Sequence, residues 1–185
     1  MIDSTSWQSA LLELFGGAFS FAAAGPRRHE DWRRDVQAVM TLKVSDPRKW
    51  ECLNCPPPSS AVEKTEEKPF ADLRVDEFDS LLYRVGKRSA TQLLVALQGL
   101  HYQATNIPDF ESRKERLFDC AELILSRFGQ EATYYTNAAE ARDNSDPNLL
   151  NPDTEWNRLS DFTTDCGLIV VAASEVGVFW AFDED

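Results

Sequence analysis

Apolar residues recur at helical spacing along one long stretch of the chain, between residues 109 and 128. The spacing follows the i, i+3/i+4, i+7 pattern of a helix that packs one face against a core. The apolar positions are Phe110, Leu117, Phe118, Ala121, Ile124, Leu125 and Phe128. Asp109 is placed to cap the start of this helix and Gly129 to end it.

Shorter segments show the same periodicity and also predict helices. They are residues 5–15, 30–42, 75–85 and a segment from Ser89 to His101. Gly16 and Gly17 end the first of them, and Ser89 with Gln92 matches the capping-box pattern at the start of the last. Residues 18–25 fit either a strand or a continuation of the first helix.

The C-terminal part of the chain has strand patterns instead. Residues 132–135 predict a short strand, and the continuous apolar run 167–172 is typical of a strand buried on both faces. Large side chains alternate over 176–182, and Ser174-Glu175 separates the last two runs, so we expect an antiparallel hairpin. Helices followed by strands favour an α+β fold, with helices packed on a small antiparallel sheet that includes this C-terminal hairpin.

Residues 54–69 are rich in Pro, Ser and Glu and predict an exposed loop, because they offer almost nothing to bury. The 53 residues before this loop are few for an independent core, so we expect one domain over 1–185. No apolar run is long enough to span a bilayer, and the N-terminus carries Asp3 and no basic residue before its first apolar stretch. These features predict a cytoplasmic protein.

Few residues of the sequence match patterns of catalysis or metal binding. Cys52 and Cys55 form one CxxC, but a closed zinc site needs four ligands and the chain has only two His. Cys120 and Cys166 lie in segments that predict packed structure, where thiols are inert. Glycine motifs for phosphate and the G-x-S-x-G elbow are absent. We therefore predict no catalytic residue, metal or cofactor, with a small Cys/His-dependent enzyme as an alternative.

The distribution of charge is the most informative feature of the composition. The net charge is −12; residues 1–100 carry 13 basic and 14 acidic side chains, whereas residues 101–185 carry 6 and 17. From residue 129 onward only Arg142 and Arg158 oppose 12 acids. Such a field repels nucleic acid and anionic membranes and speeds encounter with basic proteins. Total charge alone fits plain solubility equally well, but the asymmetry favours a protein partner.

A basic cluster with Trp32 among its members interrupts the acidic background near the N-terminus. It consists of Arg27, Arg28, Arg33 and Arg34. It could bind nucleic acid, but a solvated helix face paired with Glu30, Asp31 and Asp35 is favoured, given the acidic total.

Aromatic residues stand among the acids of the C-terminal third, as in tight protein interfaces. These aromatics are Tyr134, Tyr135, Trp156, Phe162, Trp180 and Phe182. The candidate partner-binding residues are Asp143, Asp146, Asp153, Glu155, Trp156, Asp161, Asp165, Asp183, Glu184 and Asp185. In this set Trp156 is the expected exposed anchor. Trp180 and Phe182 fit either the core or the interface.

The last 50 or so residues also resemble a known class of proteins. The shared features are a Tyr-rich strand at Tyr134-Tyr135, a loop with Trp156-Asn157, an acidic turn over 164–167, an apolar strand and an aromatic strand that ends in acids. This segment resembles the C-terminal region of bacterial toxin-immunity proteins, such as the immunity partners of type VI secretion effectors and other polymorphic toxins. The resemblance covers about a third of the chain.

This resemblance implies a protein that binds a cognate toxin with a basic surface, such as a nuclease effector, and neutralises it. Acidic residues would steer the encounter, and aromatic anchors would slow release. The alternative is an acidic regulatory module, either an adaptor or a DNA mimic, with a partner that is not a toxin.

Overall fold

An antiparallel six-stranded sheet forms the middle layer of the protein in a computed structural model, which describes residues 2–16, 19–54, 69–153 and 155–183. The strand order is β2-β1-β6-β5-β4-β3. The strands are β1 Ser20–Pro26, β2 Leu53–Asn54, β3 Tyr83–Val85, β4 Thr133–Thr136, β5 Thr164–Val171 and β6 Glu175–Asp183. The α+β fold with a C-terminal hairpin is confirmed, and residues 20–26 form a strand.

Helices cover both faces of this sheet. The described residues form α1 Ser4–Phe15, α2 Trp32–Met40, α3 Phe78–Leu81, α4 Lys87–Ala96 and α5 Phe110–Ser126. Buried residues of α1, α4 and α5 share one core cluster with one face of the sheet. Those of α2 and α3 share a second cluster with the opposite face. Two covered faces explain why the central strands are apolar at consecutive positions.

The hairpin of β5 and β6 lies at the centre of the sheet. Its register pairs Gly167 with Trp180 and Ile169 with Val178, and the Ala172 N–H donates to the Glu175 carbonyl at 2.9 Å across the turn. A Cβ at Gly167 would lie 2.2 Å from the indole of Trp180, so this strand position needs glycine. Trp180 and Phe182 are buried, which places both in the core.

The long helix predicted over 109–128 is confirmed as α5, but its start differs in detail. Asp109 has a φ of 55° and its side chain makes no capping hydrogen bond. Gly129 follows the helix with a φ of 80°, a conformation that favours glycine.

The prediction for residues 75–101 is partly wrong. Residues 83–85 form strand β3, which pairs with β4, and α4 begins at Lys87 with Gly86 as its N-cap. The hydroxyl of Ser89 lies inside the helix and donates to the Pro147 carbonyl at 2.6 Å instead of forming a capping box. His101 lies beyond α4, in a turn where its φ is 55°.

A buried arginine connects α5 to the hairpin. Arg127 is 4% exposed and donates from Nη1 and Nη2 to the carboxylate of Asp46, both at 2.7 Å. Its Nη2 also donates to Oε2 of Glu175 at 2.7 Å. The guanidinium lies 4.6 Å from the ring centroid of Trp7 and 4.9 Å from that of Trp50. Four distant segments are therefore tied together at one end of the sheet.

The loop predicted at 54–69 lies, from 55 to 68, outside the described residues. Segments from either side of it, β1 and β3 among them, belong to the same sheet. Within the described ranges, no helix combines the length and the apolar character needed to cross a membrane.

Candidate acidic interface and arginine groove

Four carboxylates surround the short 3-10 turn that follows β4. They are Glu140, Asp143, Asp153 and Glu155, which we call the acidic patch. The 3-10 turn covers Ala139–Ala141, and the Ala139 N–H donates to the Glu155 carbonyl at 3.0 Å. The backbone N–H of Asp153 donates to Oε1 of Glu140. These contacts hold Asp153 and Glu155 alongside the turn, so acids that are distant in the sequence share one surface.

Within the acidic patch, the pKa of Glu140 shows the effect of the neighbouring charges. Burial raises the pKa of this half-buried carboxyl, and the negative charges of Asp153 and Glu155 raise it further. Its Oε2 is buried and has no hydrogen-bond partner among the described residues. The charges of Asp143 and Glu155 both act on Arg142. The charges of Asp153 and Glu155 therefore act on Glu140, and Asp143 lies close to Arg142.

The remaining acidic candidates have different surroundings. Asp146 is exposed but forms an ion pair with Arg88 at 2.9 Å. Asp161 is exposed in the loop before β5, and Asp183 is half-buried at the end of β6 with its Oδ2 3.8 Å from Nδ1 of His101. Glu184 and Asp185 lie outside the described residues.

The expectation that Asp165 contributes to an exposed acidic surface is wrong. Its relative exposure is 0%, and its carboxylate accepts five hydrogen-bond donors from neighbouring segments. The Ser160 N–H and hydroxyl donate at 2.9 and 2.5 Å, and the Trp180 Nε1–H donates at 2.9 Å. The other two donors are the Leu159 N–H at 3.0 Å and the Asn137 amide at 3.2 Å.

Asp165 therefore holds the loop before β5 in place and is not available to bind a partner. Every one of these donors is neutral, and burial raises the pKa of the carboxyl above its ordinary value although the hydrogen bonds act in the opposite direction. Asn137 extends the network, because its Oδ1 accepts the Gly167 N–H at 3.0 Å while its Nδ2 donates to the Asp165 carbonyl at 2.8 Å.

Trp156 is half-buried, so it is only in part the exposed anchor that was expected. Its ring meets that of Tyr102 edge to face, with centroids 5.1 Å apart. Its Nε1 is buried without a hydrogen-bond partner among the described residues. Of the other aromatic candidates, Tyr134 is buried and Tyr135 stacks on Trp32 with centroids 4.5 Å apart.

A groove with a volume of 410 Å³ adjoins the acidic patch, and we call it the arginine groove. Its lining consists of Ala139, Arg142, Glu155, Trp156, Asn157, Arg158, Thr163 and Thr164. Sequence reasoning missed its two arginines as site residues, although Arg142 and Arg158 were visible as the only basic residues after Gly129. Their convergence on one groove could not be read from their spacing.

The basic cluster near α2 is paired with acids only in part. Of its four arginines, Arg33 forms ion pairs with Asp31 and Asp79. Arg27 donates to the backbone carbonyls of Ala172 and Glu30, and Arg28 and Arg34 are exposed, with no ion pair among the described residues.

The thiols have surroundings that disfavour nucleophilic chemistry. Burial raises the pKa of Cys166 well above its ordinary value and also raises that of half-buried Cys120. Cys52 is exposed, and Cys55 lies outside the described residues. Over the part of the chain that the structure describes, no three side chains of His, Cys, Asp or Glu group so that they could hold a metal ion.

Comparison with protein-family models, with curated proteins and with solved structures found no match to this chain.

Proposed function

We propose that this protein binds a basic partner protein through the acidic patch and neutralises it, in the manner of bacterial toxin-immunity proteins. The observation that carries the proposal is that hydrogen bonds hold Asp153 and Glu155 against the 3-10 turn that carries Glu140, with Asp143 two residues beyond that turn. An excess of charge of one sign on one surface accelerates encounter with the opposite sign.

The rigidity of this surface supports the same proposal. Asp153 and Glu155 are each fixed to the 3-10 turn by a hydrogen bond, and Asp165 holds the following loop from beneath. A preorganised surface loses less conformational entropy on binding than a mobile one, and more of the electrostatic attraction is retained as affinity.

The partner of this proposal is a toxin with a basic substrate groove, such as a nuclease, met in the cytoplasm. Carboxylates in such a groove would occupy the positions of substrate phosphates and block access of nucleic acid. Trp156 would supply an aromatic contact beside them, since its ring is only half-buried.

Partner capture combined with a protection assay tests this function. The tagged protein is used to isolate binding proteins from its native host, and the captured protein is then expressed in a neutral host with and without this chain. We expect a basic protein whose expression stops growth, and we expect co-expression of this chain to restore growth.

Two results would contradict the proposal. A captured partner that is harmless when expressed alone would favour the alternative of an adaptor or a DNA mimic. A harmful partner that still kills in the presence of this chain would show that binding does not neutralise it.

A further inference from the structure

We propose that the arginine groove is a binding site for an oxyanion, a carboxylate or a phosphate group, gripped by the guanidinium groups of Arg142 and Arg158. This inference does not rest on the proposed function, because it depends on two arginines and on the opposite sign of charge, although Glu155 and Trp156 lie at both sites.

The first argument is the state of the two arginines. Neither Arg142 nor Arg158 forms an ion pair with any carboxylate of the described residues, a property that they share with the exposed Arg28 and Arg34 but not with Arg33, Arg88 or Arg127. Arg142 and Arg158 nevertheless lie where acids are most abundant, and the charges of Asp143 and Glu155 act on Arg142 from nearby. No carboxylate of the described residues therefore occupies the guanidinium nitrogens of either side chain, and they can bind a ligand.

The second argument is that Arg142 is held in position by a neutral group. Its Nε donates to the hydroxyl oxygen of Tyr83 at 3.1 Å, and its guanidinium carbon lies 5.7 Å from the centroid of that ring. The same hydroxyl oxygen accepts from Nδ2 of Asn157 at 2.9 Å. These contacts use Nε and leave both terminal nitrogens of the guanidinium available, which is the geometry for bidentate binding of an oxyanion.

The third argument is the supply of further donors around the groove. Arg158 makes a long contact of 3.5 Å from Nη1 to the Phe162 carbonyl, and Thr163 and Thr164 belong to the same lining. The Thr164 hydroxyl lies 3.2 Å from that of Tyr102, whereas Thr163 is exposed. Trp156 also lines the groove, and its buried Nε1–H, unpartnered within the described ranges, can report on a ligand bound beside the ring.

The charge of the lining indicates which oxyanion fits best. Glu155 faces the groove together with the two arginines, and Asp143 lies beside Arg142. The repulsion from these carboxylates increases with each further negative charge on the ligand. We therefore expect a singly charged carboxylate, such as that of a peptide or a small acid, to bind more tightly than phosphate.

Titration of the folded protein with two simple anions tests the proposal. N-acetylglycine supplies a single carboxylate and sodium phosphate supplies a phosphate, each added at constant ionic strength with sodium chloride as the reference. The readout is the NMR shift of the Trp156 indole N–H and of the Nε–H of Arg142 and Arg158. We expect saturating shifts at all three groups, at a lower concentration of N-acetylglycine than of phosphate.

Variants distinguish a built site from general attraction between charges. R142Q/R158Q should raise the dissociation constant by about tenfold or more, because charge-assisted hydrogen bonds are lost. R142K/R158K retains the positive charges but lacks the planar guanidinium groups. Its dissociation constant should therefore lie between those of R142Q/R158Q and the wild type. R28Q/R34Q removes two exposed arginines from a different groove and should bind like the wild type.

Each outcome has a definite meaning. Saturation by phosphate alone would identify the ligand as a phosphate compound, and saturation by N-acetylglycine would identify it as a carboxylate. The proposal is overturned if neither anion shifts these groups beyond the effect of sodium chloride. It is equally overturned if R28Q/R34Q weakens binding as much as R142Q/R158Q does.

Discussion

Two buried charged residues, Arg127 and Asp165, join segments that lie far apart in the chain. Arg127 binds the carboxylates of Asp46 and Glu175 and lies against Trp7 and Trp50. Asp165 is surrounded by neutral donors instead. The two sites therefore respond differently to mutation and to pH.

Replacement of Arg127 by Met should destabilise the fold strongly. The variant keeps most of the side-chain volume but leaves Asp46 and Glu175 buried without their cation, and breaking a buried pair in this way costs about 3–5 kcal/mol. Urea unfolding of the wild type and of R127M measures the difference. The matched control is R74M, since Arg74 pairs with Asp76 on the surface, and its midpoint should stay near that of the wild type. Equal midpoints for R127M and wild type would refute the role given to Arg127.

Replacement of Asp165 by Asn should cost about 1–3 kcal/mol, because an amide cannot accept donors at both of its terminal atoms. Its effect should also depend on pH. Burial raises the pKa of Asp165 in the folded state, so the folded protein holds a proton that the unfolded chain releases at lower pH. The stability that this proton contributes is present in acid and is lost as pH rises through the folded-state pKa.

Urea unfolding of wild type and D165N between about pH 4 and pH 7 measures this dependence. The advantage of the wild type over D165N should be largest at the acidic end and should decrease towards neutrality. A difference in the free energy of unfolding between wild type and D165N that widens with rising pH would show that the folded-state pKa of Asp165 is lowered rather than raised.

At the scale of secondary-structure elements, the hairpin of β5 and β6 depends on glycine opposite Trp180. In G167A the new methyl group would meet the Trp180 ring and the Phe179 carbonyl, and such overpacking costs about 1–3 kcal/mol. Thermal unfolding followed by near-UV circular dichroism reports both the loss and any displacement of Trp180. In G86A the nearest atom to the new methyl is Oδ1 of Asp146 at 3.5 Å, so this control meets no clash and should lose only the preference of a helix N-cap for glycine over alanine. A G167A midpoint equal to that of G86A would argue against the close packing at Trp180.

The helices and strands with strong local patterns could be predicted from the sequence. Helix α5 and the hairpin are examples, because their apolar periodicity is long and a glycine or polar turn marks the ends. Residues 83–85 were misassigned to a helix, since their pairing partner is β4, about fifty residues further along the chain. The capping box predicted at Ser89 was wrong for a similar reason, because the hydrogen-bond partner of this hydroxyl, Pro147, belongs to a distant loop.

The candidate site was predicted only in part. The acidic bias of the last third was visible in the sequence, but the sequence does not distinguish a buried Asp that holds a loop from an exposed Asp on the surface. Asp165 offered one indirect signal, because it shares a strand face with Gly167 and Ile169 rather than with solvated positions. No spacing rule could have placed Arg142 and Arg158 in one groove, since loops carried them there.

Over the whole molecule, the structure divides the C-terminal acids among different roles. Asp165 and Glu175 stabilise the core, Asp146 pairs with Arg88, and Asp143, Asp153 and Glu155 of the acidic patch are exposed. Steering of the partner is therefore expected to depend on where the acids lie on the surface and not on the total charge of the protein. Two variants with the same change in net charge separate these possibilities.

The first variant, D143K/D153K/E155K, reverses three exposed carboxylates of the acidic patch, and the second, E115K/D119K/E122K, reverses three exposed carboxylates of α5. The decisive measurement is the rate of association of each with the captured partner at low ionic strength. We expect the patch variant to associate at least about tenfold more slowly than the wild type, and the α5 variant to remain within about twofold. Equal slowing of the two variants, or none in either, would contradict the assignment of partner binding to the acidic patch.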